Sequence, residues 1–206
     1  MKVRIFLAGA TGAIGTRLVP LLGSYEVFGT TRSADKAPLL RELGARPVVV
    51  DVFDAAALAK AVAAAKPQVV IHQLTDLPPG LDPARMAEAP ARNARIRIEG
   101  TKNLIAAAMA AGASRLIAQS IAWEPQGVSA EGVASLERQA LQAQGIVLRY
   151  GRLYGPGTGK DEAPADLPCH VDVAARAAVT AIEQGGTGIV RVLDSEPYLR
   201  LSSGTK

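Results

Sequence analysis

The fold of the chain is decided by the stretch Gly9-Ala10-Thr11-Gly12-Ala13-Ile14-Gly15. It follows the apolar run Val3–Leu7, which is typical of a buried strand, and it opens the helical pattern Ile14–Leu22. A turn without side chains lets the backbone approach a pyrophosphate, whose charge meets unpaired N–H groups at the positive end of the helix. Gly15 would instead let the helix lie close to the strand. A plain tight turn is the alternative interpretation.

Strand-like and helix-like patterns alternate along the rest of the chain. The β-rich runs, mostly apolar on successive residues as in strands covered on both faces, are Val3–Leu7, Glu26–Gly29, Pro47–Val50, Val69–His72, Arg115–Gln119, Ile146–Arg149 and Ile189–Leu193. The helical patterns between them are Ile14–Leu22, Ala34–Leu43, Ala55–Ala64, Ala94–Ala111, Gly132–Ala143 and Val171–Glu183. This alternation predicts an α/β fold, a doubly wound, Rossmann-like parallel sheet of about seven strands with helices on both faces. At 206 residues we expect one domain, 1–206.

Composition excludes several classes of function. The net charge is +4, but Lys and Arg are scattered and aromatic residues make up 4%, so we expect no nucleic-acid partner, although the charge could attract a small anion. The single cysteine, Cys169, with His72 and His170, predicts neither an internal disulfide nor a metal site. No segment reaches the roughly 20 apolar residues that span a bilayer, so we expect no membrane and a cytoplasmic location. No oligomeric state is predicted.

The residues at the end of the second predicted strand bear on whether the cofactor is NAD(H) or NADP(H). In NAD-preferring sites an acidic residue here binds the ribose 2′-OH, but this chain has Arg32 and no acid. Arg32 could bind a 2′-phosphate as a fork, helped by the hydroxyls of Thr30, Thr31 and Ser33. The pattern favours NADP(H), with NAD(H) possible; a solvated loop arginine is the alternative.

Asp51 and Val52, which follow the third predicted strand, are placed to contact an adenine ring. Asp51 could accept from the exocyclic amine, and Val52 could pack on the ring. A helix N-cap is a comparable interpretation for Asp51 or Asp54.

Further stretches make the chain resemble one family. They are Val70-Ile71-His72-Gln73-Leu74-Thr75, then Asn93-Ala94-Arg95-Ile96-Arg97, continued one residue further on by Glu99-Gly100-Thr101-Lys102-Asn103-Leu104, then Ala118-Gln119-Ser120-Ile121, Leu148-Arg149-Tyr150-Gly151-Arg152-Leu153-Tyr154-Gly155-Pro156-Gly157 and His170-Val171-Asp172-Val173-Ala174. With the glycine motif and Asp51-Val52, these residues resemble the short-chain dehydrogenase/reductase superfamily, in its extended or atypical branch of NAD-dependent epimerase/dehydratase-like proteins. The resemblance covers essentially the whole chain.

The resemblance implies a set of site residues. Ser120 stands where such enzymes place a serine that hydrogen-bonds a substrate carbonyl or hydroxyl; a structural hydroxyl at a strand end is the alternative. The cofactor contacts predicted from the motifs and the resemblance are Gly9, Thr11, Gly12, Ala13, Ile14, Gly15, Arg32, Asp51, Val52, Gln73, Leu74, Thr75, Gln119, Ser120, Tyr150, Gly151, Arg152 and Leu153.

The catalytic pair of the family is missing. Such enzymes use a Tyr-x-x-x-Lys pair on one helix face, because the lysine lowers the tyrosine pKa for proton exchange. With Leu136-Glu137 as the anchor, the pair would fall at about Ser129 and Val133. No tyrosine of the chain, Tyr198 included, has a lysine four residues later. Tyr150 or Tyr154 could supply a phenol, although packing is the simpler interpretation of both.

The region for a substrate is reduced as well. Extended members carry a substrate lobe between the Tyr-Gly-Pro-Gly turn and the His-Val-Asp stretch, whereas here only Thr158–Cys169 separates them, and only Asp194–Lys206 follows the last predicted strand. We expect that a ligand beside the nicotinamide is small, shared with a partner chain, or missing, with the loop Leu77–Pro90 as the candidate lid. Two functions remain: an oxidoreductase or epimerase-like enzyme acting on a small carbonyl or sugar-type substrate, and a non-catalytic NADP(H)-binding sensor.

Overall fold

Seven parallel strands form the central sheet of the computed structural model, which describes residues 2–78 and 81–196. The strands of the described chain are β1 (Arg4–Ala8), β2 (Glu26–Thr31), β3 (Arg46–Val49), β4 (Val69–His72), β5 (Arg115–Ile121), β6 (Ile146–Tyr150), β7 (Arg152–Tyr154), β8 (Pro168–His170) and β9 (Gly188–Val192). The large sheet has the order β3-β2-β1-β4-β5-β6-β9, with every neighbouring pair parallel, and β7 pairs with β8 beside it. This is a doubly wound order, which confirms the predicted fold.

Helices connect the strands on both faces of the sheet. They are α1 (Ala13–Leu21), α2 (Ala37–Glu42), α3 (Ala55–Ala65), α4 (Ala89–Arg95), α5 (Thr101–Ala110), α6 (Val128–Gln142) and α7 (Val171–Gln184). Short 3-10 turns lie at Ala34–Lys36 and Pro83–Glu88, and a π-helical segment, Ile96–Gly100, joins α4 to α5. Within the described ranges, no helix is long and apolar enough to cross a membrane.

Two apolar cores hold the layers together, one on each face. Ile5 and Leu7 of β1 belong to the core shared with α1 and α7, while Phe6, between them, belongs to the core shared with α3 and α5. All three side chains are fully buried. Because side chains alternate between the faces of a strand and both faces are covered here, the strands appear in the sequence as continuous apolar runs.

Candidate functional site

A cleft of about 1360 Å³ opens at the carboxyl edge of the sheet. Its lining comes from the turn between β1 and α1 and from the ends of β2, β4, β5 and β6. The winding of the sheet reverses between β1 and β4, since successive strands are added on opposite sides of these two. Ligands of open α/β sheets bind in the crevice that such a reversal leaves.

The three glycines of the motif have different structural roles in the turn between β1 and α1. Gly9 has a φ of 90°, and a Cβ there would lie 2.5 Å from the Gln73 carbonyl oxygen. A Cβ on Gly15 would fall on the Gly9 carbonyl oxygen, so Gly15 permits the close packing of α1 on the turn. Gly12 is the N-cap of α1, which has no side-chain cap and no acidic residue in its first turn. The first amides of α1 are thus left for an anion in the cleft.

An ion pair spans the cleft at the end of β2. Arg32, about half exposed, donates to Asp76 Oδ1 at 3.0 Å, and Arg92 Nε lies 3.6 Å from Asp76 Oδ2. Lys36, in the following 3-10 turn, also lines the cleft. Two cations therefore lie where the sequence predicts recognition of a 2′-phosphate, and sequence reasoning had found only Arg32.

The threonines of this strand end hold the backbone. Thr30 Oγ1 accepts from the Gly9 N–H at 3.1 Å, which ties β2 to the glycine turn. Thr31 Oγ1 accepts from the Ser33 N–H at 3.1 Å and donates to the Ser33 carbonyl at 3.2 Å. Both hydroxyls are buried and have internal partners, so they position Arg32 through the backbone.

Of the residues that follow β3, some stabilise the loop and one lines the cleft. Asp51 lies outside the cleft lining, and its Oδ1 accepts from the Phe53 N–H at 2.9 Å. Val52 is buried and lines the cleft, and its carbonyl accepts from Asn103 Nδ2 at 3.0 Å. Asp54 is the N-cap of α3. Of the two predicted adenine contacts, Val52 lines the cleft and Asp51 does not.

A buried histidine fixes the backbone where β4 ends. His72 Nε2 lies 2.9 Å from Thr101 Oγ1, which donates to the Ile96 carbonyl at 3.5 Å, so the assigned tautomer carries its proton on Nε2. Its Nδ1 then accepts from the Leu74 N–H at 3.3 Å. Burial, with Arg97 nearby, lowers the pKa of His72 to about 4. His72 is therefore neutral at pH 7 and serves as a structural link.

Gln73 brings an unsatisfied polar atom to the cleft wall. Its Nε2 donates to the Tyr150 hydroxyl at 3.2 Å, and both side chains are more than nine-tenths buried. Gln73 Oε1 is buried and has no partner among the described residues. Burial raises the pKa of Tyr150, so its phenol stays protonated. A buried acceptor without a partner is costly, and a ligand donor could supply one.

Ser120, Glu137 and Arg149 form one hydrogen-bonded cluster. The Ser120 hydroxyl donates to Glu137 Oε1 at 2.6 Å. Arg149 Nε donates to the same oxygen at 2.8 Å, and Arg149 Nη2 donates to Glu137 Oε2 at 2.5 Å. Burial alone would raise the pKa of Glu137, but the bonds from Arg149 and Ser120 outweigh it, and the pKa is lowered. Glu137 is thus an ionised anchor that orients Ser120.

Tyr154 is committed to a different partner. Its hydroxyl donates to Asp194 Oδ2 at 2.9 Å, and the other oxygen of Asp194 accepts from the His170 N–H at 2.7 Å. The hydrogen bond to Asp194 raises the pKa of Tyr154. Tyr154 does not belong to the cleft lining, whereas Tyr150 does.

Other predicted positions are distributed as follows. Ser129 lines the cleft from the first turn of α6, and Val133 is buried one turn later. Leu77 and Leu81 of the candidate lid line the cleft, while Pro79, Gly80 and Tyr198 lie outside the described residues. The predicted cofactor contacts that line the cleft are Gly9, Thr11, Gly12, Ala13, Ile14, Arg32, Val52, Gln73, Leu74, Thr75, Gln119, Ser120, Tyr150, Gly151, Arg152 and Leu153; Gly15 and Asp51 do not.

Sequence reasoning missed an aromatic group in the cleft. Trp123, the only tryptophan of the chain, lines the cleft after β5, and the Arg152 guanidinium lies 5.0 Å from its ring centre. Arg152 is held in turn by Asp166 at 3.0 Å. The position of Trp123 was the available signal. It follows a predicted strand that ends close to the predicted site residues Gln119 and Ser120.

Comparison with known proteins agrees with this geometry. The family model described as NAD(P)H-binding matches residues 9–143. A 3-diazoavenalumate denitrifying reductase from a Streptomyces species is 41% identical to this chain, over 95% of the chain and 77% of that protein.

Solved structures share the fold at low sequence identity. The UDP-glucose 4-epimerase of Thermotoga maritima, solved with UDP-glucose, superposes with a TM-score of 0.75 at 18% identity, over 93% of this chain and 77% of that one. The UDP-glucose 4-epimerase of Thermus thermophilus, solved with NAD, has a TM-score of 0.70 at 21% identity, over 93% of this chain and 78% of that one.

Proposed function

The chain belongs to the NAD(P)H-binding family, and on that premise we propose that it is a reductase that uses NADP(H) in preference to NAD(H) and removes a diazo group from a small molecule. The substrate class follows the 3-diazoavenalumate denitrifying reductase, which is 41% identical to this chain. The epimerase structures share the fold only, so they do not favour a sugar nucleotide.

The cleft fits a pyridine dinucleotide. The uncapped amides of α1 would meet the pyrophosphate, and the partnerless Gln73 Oε1 could accept from a carboxamide N–H. Arg32 and Lys36 would bind the 2′-phosphate that distinguishes NADP(H) from NAD(H), since both line the same end of the cleft. Arg32 would exchange its bond with Asp76 for the phosphate.

The observation that carries the reaction class is that the cleft-lining phenol, Tyr150, is buried against Gln73, while Tyr154, which lies outside the lining, is bound to Asp194. Burial raises the pKa of Tyr150, and the bond to Asp194 raises that of Tyr154, whereas a proton shuttle needs a pKa near the working pH. Ser129 and Val133 stand where the family's tyrosine and lysine are expected.

Reductive removal of a cationic diazonium group needs no such shuttle. A bound NADPH would supply the hydride and be oxidised to NADP⁺: R–N₂⁺ would become R–H, and N₂ would leave with the electrons of the broken C–N bond. No proton enters this balance. The residues of the chain then have to bind, orient and shield the substrate: Ser120 can accept from a substrate hydroxyl because its own proton is held by Glu137, and Trp123 offers an aromatic wall.

The test is NADPH oxidation by the purified protein over a panel of arenediazonium acids, aldehydes, ketones and UDP-glucose, with heat-inactivated protein as the control. We expect turnover with the diazonium compounds alone, release of labelled N₂ from a ¹⁵N-diazo substrate, and deuterium in the product when NADPH carries it at the transferring position. Turnover only with carbonyl or sugar compounds would contradict the substrate class. Tight NADPH binding without turnover on any compound would favour the sensor instead.

A further inference from the structure

One arginine of the cleft pairs with no carboxylate of the described residues. Arg97 lies in the π-helical segment between α4 and α5, lines the cleft and is partly buried. Within the described residues it makes neither an ion pair nor a hydrogen bond. Its nitrogens still reach the cleft, but partial burial without a partner weakens the hydration of a guanidinium, so such a group at a cleft wall points to an anionic ligand.

The other cleft arginines that are partly buried or bridged already have their partners. Arg32 and Arg92 both pair with Asp76, although the buried Arg92 Nε makes no hydrogen bond to a described residue. Arg149, outside the cleft lining, is bidentate on Glu137. Arg152 is paired with Asp166. Arg85, Lys36 and Lys160 also line the cleft, but all three are exposed and can be hydrated. Arg97 is therefore distinct in being both sheltered and unneutralised.

The helix is locally deformed where Arg97 lies. The π-helical segment Ile96–Gly100 contains one residue more than a regular helical turn. Carbonyls released there are taken by side chains: Thr101 Oγ1 donates to Ile96, and Gln139 Nε2 donates to Ile98 at 3.2 Å. Such bulges recur at functional sites because they re-aim one side chain.

The surroundings of Arg97 keep it available for a ligand. Glu137 is the acidic group that acts on it, but that carboxylate is held on both oxygens by Arg149 and on one by Ser120. Burial lowers the pKa of Arg97 and Glu137 opposes the shift, and a guanidinium remains a cation in proteins. His72, the other titratable neighbour, is neutral.

We propose that Arg97 binds a carboxylate of the substrate, so that the substrates of this cleft are small carboxylic acids. The inference rests on the proposed function, because it assigns the anion to the substrate rather than to the cofactor, whose phosphates would meet α1 and Arg32. One planar guanidinium matches the two oxygens of one carboxylate. Ser120 and Trp123 line the same cleft, so that acid and reacting group would be held by separate residues.

The experiment is calorimetric titration of the NADP⁺-loaded protein with benzoate, phenylacetate and cinnamate, and with their methyl esters. We expect the wild type to bind at least one acid roughly 10- to 100-fold more tightly than its ester, which is the range of a charge-assisted hydrogen bond. Arg97→Met should abolish this preference without changing NADP⁺ affinity, Arg97→Lys should restore part of it, and Arg85→Met, which removes an exposed cleft cation, should keep it.

Several outcomes would overturn the proposal. These are equal binding of acids and esters by the wild type, no binding of any acid, and an undiminished acid preference in Arg97→Met. The comparison of acid with ester in the wild type needs no variant, so a poorly folded Arg97→Met protein leaves the test intact. Acid preference without diazo turnover would contradict the proposed reaction alone, while turnover with equal KM for an acid and its ester would contradict the role of Arg97 alone.

Discussion

Ser120 Oγ donates a 2.6 Å hydrogen bond to Glu137 Oε1, and this bond joins the end of β5 to the middle of α6. Both residues are more than nine-tenths buried. Because the serine proton is held by an ionised carboxylate, the hydroxyl presents its lone pairs to the cleft. The structure thus orients Ser120 as an acceptor, whereas a serine that polarises a substrate carbonyl would have to donate.

Ser120→Ala should lower kcat/KM while leaving nucleotide affinity unchanged. The loss of one oriented hydrogen bond costs about 1 kcal/mol, or roughly fivefold in kcat/KM. Steady-state kinetics with a diazonium acid, together with NADPH titration by energy transfer from Trp123, would measure both quantities. Ser129→Ala is the control, since Ser129 also lines the cleft and has no role in the proposed reaction. Wild-type turnover in Ser120→Ala would remove Ser120 from the mechanism.

Glu137→Gln should destabilise the fold. The substitution leaves the Arg149 guanidinium against a neutral amide, and breaking a buried pair costs several kcal/mol, which we discount to about 2 kcal/mol because the Arg149 side chain is 40% exposed. The free energy of unfolding in urea would measure it.

The pair between Arg191 and Glu196 provides the control for Glu137→Gln. Its side chains are 53% and 45% exposed, so Glu196→Gln should change stability by less than about 0.5 kcal/mol. Equal losses in both variants would show that burial of Glu137 does not set its contribution.

Arg32→Ala should weaken NADPH far more than NADH. Charge-assisted bonds to a phosphate contribute about 1.5 to 3 kcal/mol, so the dissociation constant for NADPH should rise roughly 10- to 100-fold. Arg41→Ala, an exposed arginine of α2 outside the cleft lining, should leave both cofactors unaffected. If Arg32→Ala weakened both cofactors equally, Arg32 would not read the 2′-phosphate.

The fold could be predicted from the sequence because each buried strand appears as a short, continuous apolar run. The run Val69–His72 was predicted with the bounds that the structure has, since all four residues are buried between two helical layers. The pairing of β7 with β8 was not predicted, because three-residue strands carry no periodicity. The helix predicted from Ala94 begins at Ala89, where Pro90 occupies the first turn.

The site was less predictable because its bonds join distant parts of the chain. Arg32 was found from its position after β2, but its partner Asp76 is 44 residues away and nothing local indicates the pair. In the sequence Glu137 indicates only the position of a helix, whereas in the structure it binds Ser120 of β5 and Arg149 of β6. The π-helical segment that carries Arg97 was not predicted, because its position depends on packing against α6.

Two glycine substitutions should separate packing from anion binding. In Gly15→Ala the new Cβ would fall on the Gly9 carbonyl oxygen and lie 2.7 Å from Ala10 Cα, so α1 would be displaced at a cost of at least about 2 kcal/mol. In Gly12→Ala the nearest atom is the Gly9 oxygen at 3.3 Å and φ is −80°, so the fold should tolerate the methyl group.

Gly12→Ala should nevertheless bind NADPH more weakly, because its methyl group stands where the backbone would meet a pyrophosphate. Thermal unfolding and NADPH titration of both variants would be compared with Gly23→Ala, whose Cβ would meet nothing closer than 3.8 Å. A Gly12→Ala protein with wild-type affinity would contradict the binding of a pyrophosphate at this turn.

His72 should make stability depend on pH on the acid side of neutrality. Its pKa is about 4 in the folded protein and 6.5 in an unfolded chain, so the unfolded state binds more protons between these values and stability falls as pH falls from 6.5 to 4. A shift of this size corresponds to about 3 kcal/mol. Because the pKa of Glu137 is lowered from its ordinary value of 4.5, protonation of Glu137 reduces stability only below pH 4.5. Between pH 4.5 and 6.5 the loss of stability is therefore assigned to His72.

His72→Gln removes this titration while keeping a donor for Thr101, so its urea unfolding free energy should be nearly flat between pH 4.5 and 6.5. His170→Asn is the matched control, because it removes the other histidine of the chain and retains a residue able to cap α7. It should keep the wild-type slope. If His72→Gln lost stability as steeply as the wild type over this interval, the buried histidine would not be the group that titrates, and the neutral link between Thr101 and Leu74 would be the wrong assignment.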